Sequence, residues 1–161
     1  MTKIYFASPL FSEGELAYNR YVKDLILQHY PQLQVHLPQE VESINDKQAF
    51  ADSVMIAQAD TQAVLDSDLM IAVLDGLVID PGVASEIGIA FQAGIPIIGL
   101  YTDSRQQGAE HPQKIAALKE IAESQFSYIN LYTVGLIKQK GQIVGSSQAL
   151  IDVLADYINQ S

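Results

Sequence analysis

Strand-sized apolar runs alternate with stretches of helical spacing from one end of this 161-residue chain to the other. That alternation predicts an α/β fold, a doubly wound sandwich whose central five-stranded sheet is mainly parallel and carries helices on both faces. Two further observations support it. The run from Leu69 to Leu74 is apolar at every position, as a strand covered on both faces must be, and Asp80-Pro81-Gly82 punctuates the change from strand to helix.

Taken in order, Lys3 to Ala7 (KIYFA) is β-branched and aromatic and stops at Ser8-Pro9, which makes it the first strand. Ser12 followed by Glu15 has capping-box spacing, and Leu16, Tyr21, Leu25 and Ile26 carry a helix on to Tyr30-Pro31. Gln34 to Leu37 is a short second strand cut off by Pro38. Phe50 to Leu65 is helical, with Phe50, Val54, Ala57, Ala63 and Val64 as its apolar positions, and Leu69 to Leu74 is the third strand. Asp80 as N-cap and Pro81 at the first helical position open a helix lined by Val83, Ile87, Ala90 and Phe91 and reaching Gly94. Ile95 to Tyr101 is the fourth strand. A polar loop then leads to a helix expected from Pro112 to about Ser124 and a fifth strand near Tyr128 to Tyr132. Gly135 to Gly145 reads as a hairpin or an extended loop, and Ser147 to Asn159 as a closing amphipathic helix. No repeat or linker interrupts this order, so residues 1–161 are expected to form a single domain of the flavodoxin-like class.

Composition narrows the function. Nine basic against nineteen acidic residues leave a formal net charge of −10, which repels phosphate backbones and argues against nucleic acid as a partner. A neutral ligand fits best. No apolar run approaches the ~20 residues of a membrane span. The N-terminus lacks the layout of a signal peptide, and a cytoplasmic location is expected. With no cysteine, thiolate metal sites are excluded. His29, His36 and His111 have no recognisable ligand spacing, so each reads as a surface or loop residue and no metal is expected.

In doubly wound sheets ligands bind beyond the carboxyl ends of the strands, so the loops there decide the chemistry. ASPLFSEGE has no glycine cradle for a flavin phosphate, Ala7-Ser8-Pro9 supplies none of the acids of a receiver domain, and no glycine triplet has dinucleotide-fingerprint spacing. What remains is carboxylates. Asp66 and Asp68 are simplest as loop or capping acids, Asp75-Gly76 as a turn, and Asp80 as a cap. Glu86 is different. At ~100° per residue it lies about 60° from Val83 and about 40° from Ala90, on the edge of the buried stripe. Gly82, Ala84 and Gly88 keep the helix thin beside it. These residues alone leave structural pairing and catalysis both open. A carboxylate kept ionised in a partly dry pocket suits attack at an anomeric carbon, with a second carboxyl group managing the leaving proton.

Several segments, KIYFASPLF, LPQE, DSDLMIAVLDG, DPGVASEIGIA and SYIN, together span most of the chain. In them it resembles the nucleoside 2-deoxyribosyltransferases, flavodoxin-like enzymes that move 2-deoxyribose from one nucleobase to another. The resemblance implies Glu86 as the nucleophile of a covalent deoxyribosyl intermediate, with retention at C1′. It further implies Tyr5 as the residue that orients the Glu86 carboxylate and Asp60 as the group that contacts the base and helps protonate it. Asp80 would bind the sugar 5′-hydroxyl, Gln39 would lie against the nucleobase, and Phe11 would form an apolar wall. Asn130 would reach the 5′-hydroxyl in a neighbouring subunit's site. Implied too are deoxyribonucleosides and free nucleobases as partners, no cofactor, and a homo-oligomer, typically a hexamer. Base preference falls to the loop near Gln39 to Asn45, whose residues do not declare it. GLIKQKGQIVGSS has no counterpart that can be placed, and the C-terminal Ser161 is not assigned the active-site carboxylate of some members. Two rival readings follow the same residues. One is an N-glycosidase, which the arginine-free loop after the first strand and the acidic Asp80 disfavour when the substrate carries a phosphate. The other is a nucleoside-binding module without turnover.

Overall fold

The computed structural model describes residues 1–41, 50–124 and 126–158. Its centre is a five-stranded sheet formed by β1 (Lys3–Ala7), β2 (Gln34–His36), β3 (Leu69–Val73), β4 (Ile97–Leu100) and β5 (Gly141–Val144), in the spatial order β2-β1-β3-β4-β5. Every pairing is parallel, so "mainly parallel" sharpens to wholly parallel. This is the flavodoxin-like order, with its switch point between β1 and β3.

Helix α1 (Glu13–His29) starts on the predicted capping box: Ser12 Oγ accepts from Glu15 N, and the Glu15 carboxylate accepts from the Ser12 backbone N–H. Helix α2 (Ser53–Leu65) is capped by Asp52 and begins three residues later than the apolar pattern suggested. Helix α3 (Pro81–Ala93) has Asp80 as N-cap and Gly94 as a left-handed C-cap at φ 77°, a conformation glycine adopts without strain. The closing helix, α6 (Ser147–Ile158), lies as expected; Asn159 falls outside the described residues.

The sheet's two faces bury different sets of side chains. Ile4, Phe6, Val35, Ile71, Val73 and Ile98 pack against Val22 and Ile26 of α1 and Leu150, Ile151 and Leu154 of α6. Tyr5, Ala7, Met70, Ala72 and Ile97 face Val64 of α2, Val83, Ile87 and Ala90 of α3, and Ile137 of the helix before β5. The period-2 alternation of β1 thus sends Tyr5 and Phe6 to opposite cores.

The fifth strand corrects the sequence reading. Residues 128–132 form no strand. Asn130 Oδ1 accepts from Thr133 N and caps a helix, α5 (Leu131–Lys140), and the fifth strand follows at once, inside the segment read as a hairpin or loop. The β-prone Tyr128, Ile129 and Tyr132 outweighed the cap when read locally. β5 is admitted to the sheet by a glycine: a Cβ on Gly141 would lie 2.0 Å from the Ile97 carbonyl oxygen. The helix expected over 112–124 is likewise shorter, α4 (Pro112–Ala116) followed by a single 3-10 turn.

Candidate active site

Helices α2 and α3 pack side by side over the Tyr5 face of the sheet. Tyr5 is wholly buried, yet its phenol donates to Glu86 Oε1 at 2.6 Å, the short range of a hydrogen bond to an ionisable oxygen. Local sequence explains the reach. β1 aims alternate side chains at this face, and the Asp-Pro start of α3 delivers Glu86 in its second turn above the carboxyl end of the sheet.

Burial pushes the Glu86 carboxyl from its ordinary 4.5 up to about 7; the Tyr5 hydrogen bond pulls it down, and the charges of Asp60 and Asp80 add to the rise. Asp60, half-buried on α2, is also raised by burial, with His36 acting in the opposite direction. The Tyr5 phenol is driven well above its usual range by burial and by the Glu86 and Asp60 charges, so it stays a donor. Two carboxyl groups that repel each other in a partly dry site hold one proton between them over a span of pH. That is the electrostatic arrangement of an acid paired with a nucleophile or base.

Asp80 is half-buried, and its Oδ1 accepts from Gly82 N at 2.8 Å and Val83 N at 3.1 Å. One carboxylate oxygen serves the cap, and the group still acts electrostatically on Glu86. Four of the seven predicted residues, Tyr5, Asp60, Asp80 and Glu86, therefore interact as one cluster. The contacts described for the other three are local or with α1. Phe11 is 80% exposed at the start of α1. Gln39 accepts from Asn19 Nδ2 and donates to the Leu16 carbonyl, which ties it to α1. Asn130 is exposed, and the side-chain hydrogen bonds described for it are those of its cap to Thr133. Residues 42–45 of the expected base-facing loop lie outside the described residues.

Two side chains gain importance from the structure. Asp75 is more than a turn residue: it accepts from Thr102 N, Thr102 Oγ1 and Asp103 N, which lashes the ends of β3 and β4 together. His36 is no loop residue. It sits half-buried on β2, paired in register with Tyr5, and its ring stacks on the Tyr5 ring with centroids 5.4 Å apart and planes 18° from parallel. Its place in the strand read over Gln34 to Leu37 was the only signal in the sequence, and that signal did not say which strand would lie beside it. Among the described residues no group of three or more His, Asp or Glu side chains is arranged to hold a metal ion, and no helix is long and apolar enough to cross a membrane.

Over residues 4–133 the sequence matches the model of a family described as nucleoside 2-deoxyribosyltransferase. A conserved protein from Enterococcus faecalis V583 has a similar solved structure, at 60% identity and TM-score 0.89, covering 94% of this chain and 96% of that one. A 2-deoxyribosyltransferase from Bacillus psychrosaccharolyticus shares the fold at 19% identity and TM-score 0.59, with 93% and 90% of the two chains covered. So does a CMP N-glycosidase from Clostridium botulinum, at 20% identity and TM-score 0.52, covering 97% and 99%. No curated protein matches the sequence. With a family model spanning most of its length and a carboxylate cluster at the carboxyl edge of its sheet, the chain belongs to the nucleoside 2-deoxyribosyltransferase family.

Proposed function

We propose that this protein exchanges the base of a 2′-deoxynucleoside, moving the deoxyribosyl group to a free nucleobase through a covalent bond to Glu86. The observation that carries this reading is the 2.6 Å hydrogen bond from the buried Tyr5 phenol to Glu86. It fixes one carboxylate oxygen and leaves the other to meet C1′.

In the first half-reaction the C1′–N bond breaks while the one proton held by the Glu86–Asp60 pair passes through Asp60 to the departing base, which leaves Glu86 ionised. The sugar takes on oxocarbenium character, which the Glu86 carboxylate stabilises and then quenches by forming a C1′–O bond. In the second half-reaction a free base attacks C1′ from the face the first base left, its proton returns to Asp60, and Glu86 departs. Two inversions give net retention. The missing 2′-hydroxyl eases formation of the oxocarbenium. Asp80 keeps a carboxylate oxygen for the sugar 5′-hydroxyl while its other oxygen caps α3. Phe11 and Asn130, both exposed, are available to line a base and to reach a neighbouring copy in a homo-oligomer. A base contact from Gln39 requires release of one of its bonds to α1.

Incubation with deoxyadenosine and thymine tests the reading by chromatography. Thymidine is the expected product. Free adenine without thymidine would identify a hydrolase, in which water takes the place of the second base, and neither product would leave a binding module.

A further inference from the structure

We propose that His36 is a positioning residue of this reaction, its ring bracing Tyr5 so that the phenol stays aimed at Glu86. The inference rests on the reading of Glu86 as the nucleophile. Tyr5 and His36 are register partners on neighbouring parallel strands, so their side chains leave the same face of the sheet side by side. β2 is an edge strand of three residues, ended by Pro38, and it is all that flanks β1 on that side. A small or flexible residue at position 36 would leave the outer flank of the Tyr5 ring open where the sheet stops. A flat ring, centroid 5.4 Å away and nearly parallel, closes that flank and fixes the phenol plane. The phenol oxygen then has one good acceptor in front of it, Glu86 Oε1 at 2.6 Å.

The charge on that ring matters as well. Charged groups act on His36 from each element around it: Lys3 from β1, Lys23 from α1, Asp60 from α2, and Glu40 from the 3-10 turn after β2. Burial and the two lysines outweigh the two acids, and the imidazole is held below its ordinary range, which favours the neutral ring. A neutral ring packs flat on the phenol without placing a further charge beside the Glu86 and Asp60 carboxyls.

The test uses His36→Leu, which keeps the volume but removes the ring, and His36→Phe, which restores a ring without a charge. Each is made with and without Tyr5→Phe. The first readout is the Glu86 carboxyl, titrated by carbon-13 NMR in the substrate-free protein. His36→Leu raises its midpoint by about half a unit to one unit as the phenol hydrogen bond loosens, and His36→Phe leaves it in place. The second readout is kcat for deoxyadenosine–thymine exchange. We expect a loss of about tenfold in His36→Leu, most of it recovered in His36→Phe, and no further loss when His36→Leu is added to Tyr5→Phe. An unmoved Glu86 titration in His36→Leu overturns the proposal, as does an equal loss with and without the Tyr5 hydroxyl. A wild-type protein with no exchange or hydrolysis would sink the functional reading instead, and the titration still decides the brace.

Discussion

On one face of the sheet α1 and α6 close over hydrocarbon, with Ile4, Phe6, Ile26, Ile71, Ile98 and Leu154 all buried. On the other, α2 and α3 close over Tyr5, whose hydroxyl engages a glutamate of raised pKa near Asp60 and Asp80. The strand between them is the same. Ile4 and Phe6 serve the first face, Tyr5 the second, and only the pleat separates a purely apolar core from the face that carries the carboxylate cluster. The apolar face can be optimised for packing alone. The carboxylate face holds groups that prefer water, and their burial costs stability.

The largest effect expected from this division is on Glu86→Gln. Exchange should fall by at least about 10³-fold, measured as thymidine formed from deoxyadenosine and thymine. Stability should move the other way. The folded carboxyl lies at about 7 against an ordinary 4.5, so its protonated form is favoured by folding. The wild-type protein keeps that contribution in full below pH 4.5 and loses it as pH rises through about 7. Urea titrations at pH 8 should therefore find the glutamine variant more stable, by on the order of 3 kcal/mol at most, with the gap narrowing toward pH 4.5.

Ile26→Ala probes the opposite face. A cavity there should cost about 2–5 kcal/mol in urea unfolding while kcat of the folded fraction stays within about twofold of wild type. A large loss of kcat in protein shown to be folded would break the separation of the two faces.

Tyr5→Phe sits between these cases, because it keeps the ring and removes a hydrogen bond to a charged group. Activity should drop about ten- to a hundredfold. The hydroxyl holds the Glu86 carboxyl down, so the acid limb of the kcat–pH profile should also shift to higher pH. An unshifted acid limb would detach Tyr5 from Glu86.

Asp80→Asn should have the smallest effect. Asn caps a helix as well as Asp does, so melting should change by only a few tenths of a kcal/mol. The loss of about tenfold in kcat/KM should appear with 2′-deoxynucleosides and not with 2′,5′-dideoxy analogues. Equal losses on both would return Asp80 to a purely capping role.

Much of the fold was legible because its signals are local. The Ser12–Glu15 capping box, the Asp80-Pro81 helix start and the unbroken apolar run of β3 each depend on contacts within a few residues, and each was found where the sequence placed it. The segment from Thr102 to Gly145 resisted because its signals compete. Tyr128, Ile129 and Tyr132 favour a strand, whereas Asn130 caps a helix, and the choice is made by packing α5 and β5 against α3 and β4. Gly141 looks like a turn residue until Ile97 is seen to leave no room for a Cβ.

The candidate site divides in the same way. Sequence by itself determined the wound α/β architecture and singled out Glu86 as a carboxylate on the edge of a buried stripe, since periodicity and capping are written in residue order. Tyr5, Asp60 and Asp80 were named only through the family resemblance its motifs carry. The family resemblance already implied that the phenol meets Glu86, but only the tertiary structure gave that contact its geometry and decided that Gln39 is occupied by α1 and that His36 lies flat on Tyr5. Those facts depend on which strands become neighbours and in what register, and β1 and β2 are separated by a helix whose length says nothing of the pairing. Burial does the rest, because a carboxylate acquires a raised pKa only when distant segments of chain take its water away.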